Sequence, residues 1–387
     1  MKRLMFYCQH ILGMGHLVRS MEIVKGLTQD FQVCFINGGE IIDGFDLPEG
    51  VEVVNLPAIK TDSEFRILQT VDESLNLEEA QRIRKNQLLD VYDRIRPDVL
   101  MIELFPFGRR KFSFELLPLL DAIQADGCKT KVVCSLRDIV VTKQNIEKHE
   151  QKVCTLINQY FDLLLIHGDP KFQAIDETFS RIQDLNCPIY YTGYVVQPQT
   201  RSHIQPLLRQ PSILATVGGG RFGHELLDAV VDAAPRLQHL IPHQIQVFTG
   251  PFFPDEKLAV LQAKAAKCDN LLVDRYTPNL LDYMNHADLS ISMSGYNTTM
   301  NILTTGVKAM LMAFTGNDDQ EQRMRSQKLA AMGIVMTIQP EDLAIDRFVE
   351  KIQICLNTKP NTVQFDFDGV AKTAFYVNEM LKLQQAA

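Results

Sequence analysis

An α/β chain made of two tandem doubly wound units is what this sequence predicts, on three observations. Short apolar runs bounded by Gly, Pro or Asp alternate with longer segments of helical period, the pattern of parallel strands covered by helices. That pattern is interrupted once, by a stretch rich in Pro and Gln, and then restarts. At 387 residues, 46% of them apolar, the chain is long enough for two buried sheets.

In the first half, strands are expected at "RLMFYC", "QVCFIN", "VEVVNL", "DVLMIE", "KVVCSL", "LLLIH" and "IYYTG", with helix-period segments such as 76–95 between them. From Gly193 to Pro211 the text "GYVVQPQTRSHIQPLLRQP" has no period and reads as a linker. Strands resume at "SILATV", "IQVFTG", "NLLVD", "LSISM", "KAMLMA" and "IVMTI", and Phe365 to Gln385 reads as a closing helix. The expected division is therefore 1–192, a linker 193–211, 212–360, and a C-terminal segment 361–387.

A net charge of -8 argues against a broad nucleic-acid surface, because phosphate binding needs clustered cations. The eight cysteines show no zinc or redox spacing and read as buried free thiols of a reducing cytosol. No cleavable leader is legible, and no apolar stretch approaches the roughly 20 residues of a membrane span. A cytoplasmic protein is expected, with contact at a membrane surface left open.

In open sheets of this kind ligands bind beyond the carboxyl ends of the strands, so the loops after strands carry the expected chemistry. "LGMGHLVRS" follows the first strand and opens a helix marked by Leu17, Met21, Val24 and Leu27. Gly13 and Gly15 let backbone approach a ligand. The dinucleotide fingerprint is not met: the third glycine is missing, and no acidic residue ends the second strand. His16 at the helix start would be kept neutral by the helix dipole, which suits a general base; a ring that merely caps the helix is the even alternative. Arg19 is either a phosphate contact or an exposed helix residue.

Glu103 ends a later strand of the same sheet, where it could orient an imidazole or lie in solvent. After it, Phe105, Phe107 and Phe112 alternate with Arg109, Arg110 and Lys111. They form an acceptor wall, a membrane-facing patch, or a core pair with a solvated basic turn.

In the second half, "TVGGGRFG" offers converging backbone N–H groups at Gly218, Gly219 and Gly220, which suits phosphate. "SMSGYNTTMNIL" places Ser294, Gly295, Asn297 and Thr298 at another helix start, as diphosphate donors or as an ordinary N-cap. The crowded loop "FTGNDDQEQR" suits sugar hydroxyls. No earlier Asp-x-Asp completes a metal site, so neither metal nor cofactor is expected.

Together these loops resemble nucleotide-sugar glycosyltransferases of the two-Rossmann, B-type fold (GT-B). They are most similar to the family 28 group that includes the UDP-N-acetylglucosamine transferase of peptidoglycan precursor synthesis. "GMGHLVRS", "DVLMIELFPFG", "SLRDI", "HGDPKF", "YTGYV", "VGGG", "TGPFFP", "SMSGYNTT" and "QEQRMRSQKLAAMG" carry the likeness in order. The resemblance implies an N-terminal acceptor domain, a C-terminal donor domain, an interdomain cleft, and metal-independent, inverting transfer of a hexose-type sugar, with a UDP-sugar as the expected donor. His16 then falls on the base and Glu103 on its acidic partner. Gly218 to Gly220, Ser294, Gly295, Asn297 and Thr298 fall on the diphosphate loops, and Gln322 on the donor-sugar amide.

Two departures stand out. Asn301 replaces the glutamate that usually holds the ribose, which forfeits roughly 1 kcal/mol of charged hydrogen bonding. Arg221 stands where smaller or acidic residues are common, and adds a cation near the phosphates. Two rival readings stay open: a nucleotide-sugar hydrolase or epimerase on the same fold, and a nucleotide-sugar-binding protein that has lost turnover. The acceptor is an unspecified hydroxyl on a lipid-linked molecule, a glycan or a small metabolite.

Overall fold

The computed structural model describes residues 1–11, 15–42, 48–61, 67–127, 129–141, 145–198, 211–314, 316 and 320–386. Gly13, Asp318, Asp319 and most of the expected linker lie outside the described residues. The chain divides into two compact units, Met1–Val196 with Phe365–Ala387, and Gln197–Gln364.

The first unit runs β1 (Lys2–Cys8), α1 (Gly15–Leu27), β2 (Phe31–Asn37), β3 (Glu52–Asn55), β4 (Ile59–Thr61), β5 (Leu68–Thr70), α2 (Leu77–Ile95), β6 (Val99–Glu103) and α3 (Ser113–Ala125). It continues with β7 (Lys131–Arg137), α4 (Ile146–Tyr160), β8 (Leu163–His167) and β9 (Ile189–Tyr191). Seven strands form one parallel sheet in the order β3-β2-β1-β6-β7-β8-β9. A small antiparallel pair, β4 with β5, has no counterpart in the sequence reading.

Alternate residues of the strands bury opposite faces, as the two-residue strand period requires. Met5, Tyr7, Leu100, Ile102, Cys134 and Leu136 share one cluster with residues of α2, α3 and α4. Leu4, Phe6, Val33 and Phe35 are buried too, and α1 contacts β1 and β2. Both faces are covered, which is why these strands read as unbroken apolar runs.

Asn76 accepts from the Glu79 N–H and so starts α2 one residue into the expected segment. The C-terminal helix, numbered α11 below, spans Gly369–Ala386 and packs on α1. The stretch expected as a linker begins inside this unit. Tyr194 and Val195 are buried, and the Tyr194 hydroxyl donates to Asp138 at 3.0 Å, so apolar burial holds what its aperiodic sequence suggested was free.

The second unit runs β10 (Ser212–Thr216), α5 (His224–Leu237), β11 (Gln244–Phe248), α6 (Asp255–Ala265), β12 (Leu271–Asp274), α7 (Leu280–His286) and β13 (Leu289–Met293). It ends with α8 (Tyr296–Thr305), β14 (Ala309–Met312), α9 (Glu321–Ala331), β15 (Met336–Ile338) and α10 (Ile345–Asn357), before α11. Its parallel sheet has the order β12-β11-β10-β13-β14-β15. Leu226, Val230, Leu261, Phe348 and Ile352 from α5, α6 and α10 pack on one face.

In each sheet the strand order reverses once, at β1 beside β6 and at β10 beside β13. Loops diverge at such a switch point and leave a crevice at the carboxyl edge. Among the described residues, no helix is long and apolar enough to cross a membrane.

Candidate active site

In the first unit the switch point joins the two residues that sequence reading paired. β1 and β6 are neighbours with Tyr7 opposite Ile102, so the helix after β1 and the last residue of β6 meet at one edge. His16 Nδ1 lies 2.7 Å from Glu103 Oε1. Arg137, at the end of β7, brings Nη2 within 3.1 Å of His16 Nε2.

The tautomer follows from what each partner can do. A carboxylate only accepts and a guanidinium only donates, so Nδ1 carries the proton and Nε2 presents its lone pair. Burial pushes the His16 pKa down to about 3; Glu103 opposes that shift, and Arg137 and Arg109 add to it. Burial would raise the Glu103 carboxyl, but His16, Arg19 and Arg109 outweigh it and hold the group well below the usual carboxylate range.

Glu103 is fully buried, not a solvated strand end, and Arg19 is 2% exposed, not an open helix residue. The two form an ion pair. Phe105, Phe107 and Phe112 are core residues as well, so the aromatic run is neither a membrane-facing patch nor an acceptor wall. Arg109 stays at the site, its Nε donating to Gln9 O at 2.7 Å. Gly15 is exposed at the start of α1.

In the second unit the loops after β10 and β13 flank the other switch point. Gly218 and Gly220 have φ of +68° and +88°, and Gly223, the residue before α5, has +78°, all left-handed values that favour glycine. Gly250 sits directly behind: a Cβ there would lie 2.3 Å from Gly218 O and 2.5 Å from the Gly219 carbonyl carbon. Phe252 N–H donates to Gly219 O at 2.9 Å, so the loop after β11 braces the glycine loop. Neither α5, preceded by Gly223, nor α8, preceded by Gly295, has a side-chain cap. The expected ordinary N-cap by Asn297 or Thr298 is therefore not formed.

Residues 213–366 match the family model described as the glycosyltransferase family 28 C-terminal domain. The chain has the GT-B fold, and its second unit carries a glycosyltransferase family 28 C-terminal domain. The fold agrees with solved structures of low identity. The calicheamicin glycosyltransferase CalG4 is 15% identical, with 98% of each chain covered and a TM-score of 0.58. UGT2 of Phytolacca americana, complexed with UDP-2-fluoro-glucose and pterostilbene, is 12% identical, with 99% of this chain and 94% of that one covered and a TM-score of 0.61. MurG of Acinetobacter baumannii is 14% identical, with 97% and 99% covered and a TM-score of 0.54. No curated protein matches the chain in sequence.

The remaining expected donor residues of the second unit lie near the same edge. Ser294 is buried, its Oγ donating to Gln322 O at 3.2 Å, while Gln322 Oε1 accepts from Phe314 N–H at 3.0 Å. The oxygen end of the Gln322 amide is thus held by backbone. Asn297 and Thr298 are half-buried in the first turn of α8. Asn301 is 5% exposed and gives Nδ2 to Gln197 Oε1 at 3.4 Å. Arg221 lays its guanidinium 4.3 Å from the Phe252 ring centroid. A cavity of about 330 Å³ opens at the ends of β14 and β15, lined by Phe314, Arg323, Ser326 and Gln339 among others.

Sequence reading missed four participants as functional residues. Arg137 and Gly250 lie in stretches quoted only for their resemblance, "SLRDI" and "TGPFFP". His224 gives Nε2–H to Gly220 O at 2.9 Å and takes a bond from Lys257 at Nδ1, also 2.9 Å. His167, fully buried, links Ser135 at 2.8 Å to Thr192 at 2.9 Å on the strand next to Arg137. No local signal distinguishes it from a core residue.

Proposed function

We propose that this protein is a glycosyltransferase that moves a hexose-type sugar from a nucleoside-diphosphate sugar to an acceptor hydroxyl, with inversion and without a metal. The second unit takes the donor and the first takes the acceptor. His16 Nε2 accepts the hydroxyl proton, and the acceptor oxygen forms its bond to the anomeric carbon. The bond from that carbon to the diphosphate breaks, and its electron pair leaves with the nucleotide. One displacement inverts the centre.

The observation that carries this reading is the His16 to Glu103 bond, which fixes the ring in the tautomer whose Nε2 can take a proton. Glu103 also stabilises the imidazolium that forms. On the donor side, the Gly218 to Gly220 loop and the starts of α5 and α8 offer backbone N–H groups to the departing diphosphate, so charge is met by dipoles already in place. Gln322, its oxygen held by Phe314, has its amide nitrogen to give to the donor sugar. A UDP-sugar is the first donor to test, since a neighbour of the same fold is complexed with one.

A His16→Ala variant tests the reading. It should abolish transfer while nucleotide titration by calorimetry stays as in the parent protein. Undiminished transfer would remove His16 from the mechanism, and nucleotide release without acceptor at the same rate as with it would make the protein a hydrolase.

A further inference from the structure

The glycine loop after β10 is held from behind at two successive residues. Gly219 O accepts from the Phe252 N–H at 2.9 Å. Gly220 has no room for a side chain on that side: a Cβ would lie 2.5 Å from Thr249 O and 2.9 Å from Phe253 N. Its own oxygen accepts from His224 Nε2 at 2.9 Å. The Phe252 brace is backbone, from the segment after β11. The His224 brace is a side chain, from the first residue of α5.

Both ring nitrogens of His224 are engaged inside the protein. Lys257 of α6 gives its ammonium to Nδ1 at 2.9 Å, and the ring stands edge-on to Phe253 with centroids 4.6 Å apart. An ammonium only donates and a carbonyl only accepts, so Nδ1 keeps its lone pair and Nε2 carries the proton that Gly220 O receives. His224 has no nitrogen left for a ligand, and its effect on one passes through Gly220.

A trans peptide sets its C=O and N–H in opposite directions, so a carbonyl held at the back of the loop turns an N–H to the front. Phe252 does this for the peptide that ends in the Gly220 N–H. The next peptide carries Gly220 O and hangs on a glycine with a φ of +88°, a residue free to rotate at little cost. Turned over, it would aim a carbonyl oxygen at an anion that the loop should meet with N–H groups. The His224 bond opposes that rotation.

We infer that His224 is a positioning residue for the donor diphosphate: it holds Gly220 O away from the phosphate oxygens, and Lys257 keeps it in the tautomer that can do so. This role rests on the donor reading of the second unit. It assigns the shape of the phosphate loop to a side chain that itself touches no ligand.

The full chain is titrated by calorimetry with UDP, GDP and dTDP, as the parent and as His224→Ala, His224→Gln and Lys257→Met. His224→Ala should weaken the tightest of these nucleotides roughly tenfold, about 1.4 kcal/mol. Glutamine keeps an amide N–H at a similar reach, so His224→Gln should recover most of that affinity. Lys257→Met should fall between the parent and His224→Ala. The matching nucleoside, which has no phosphate, should bind parent and variants alike, as a merely structural loss would not allow. The role is overturned if His224→Ala binds the nucleotide like the parent, if His224→Gln is as weak as His224→Ala, or if the nucleoside is weakened equally. A parent protein that binds none of the nucleotides overturns the donor reading itself, and the role with it.

Discussion

His16 Nδ1 and Glu103 Oε1 stand 2.7 Å apart across 87 residues of sequence, and Arg19 shares the same carboxylate oxygen. The carboxylate thus has two duties: it orients an imidazole, and it balances a guanidinium whose side chain is 1% exposed.

Glu103→Gln separates them. The amide can still accept from Nδ1 but cannot neutralise Arg19, so a buried cation loses this carboxylate. The expected loss is about 3–5 kcal/mol of folding stability, read by denaturant titration, with transfer down roughly a hundredfold. Adding Arg19→Met should recover part of the stability and none of the activity, a non-additivity that a double-mutant cycle measures.

Acid sensitivity follows from two histidines, His16 and His167, whose protonation is suppressed by desolvation. In the unfolded chain His16 and His167 take up protons near their ordinary 6.5, whereas in the folded protein burial delays this to about 3. Between those values the unfolded state binds more protons. Stability is therefore full above 6.5 and declines as pH falls toward 3. His167→Asn should flatten that slope in unfolding curves measured across the window. For transfer, kcat/KM reports the free enzyme and should show no break near 6.5.

Gly250 and Gly218 make opposite predictions about the glycine loop. An alanine Cβ at 250 would collide with Gly218 O and the Gly219 carbonyl carbon, so Gly250→Ala should abolish nucleotide binding. An alanine at 218 meets nothing within 4 Å and is penalised by its φ of +68° alone, about 1 kcal/mol, so Gly218→Ala should bind nucleotide with modest loss. Calorimetric titration with UDP distinguishes the two.

Gln322→Glu keeps an oxygen for the Phe314 N–H and removes the amide donor. Nucleotide affinity should persist while transfer falls at least tenfold, because one hydrogen bond to the sugar is lost. Full activity in this variant, assayed with the donor sugar saturating, would take Gln322 off the sugar.

The strands were legible because burial on both sheet faces leaves its mark as unbroken apolar runs, and each expected run coincides with an observed strand. The loops after β1, β10 and β13 were legible because glycines and small polar residues between a strand and a helix have few other uses. Arg137 was not. A lone arginine at a strand end reads as solvated, and nothing local says that its neighbour strand will end in a buried glutamate. Gly250 was invisible for the same reason, since its constraint is the backbone of another loop.

By itself the sequence determined the α/β class, two parallel sheets and the loops that carry chemistry, because local periodicity and turn residues encode those directly. Only the tertiary structure decided that β1 lies beside β6 and β10 beside β13, and hence which loops meet. It alone shows that Glu103 and Arg19 are buried together, that three phenylalanines belong to the core, and that Arg137 occupies the nitrogen a base needs. Strand order is settled by packing summed over the whole sheet, and no single stretch of residues contains it.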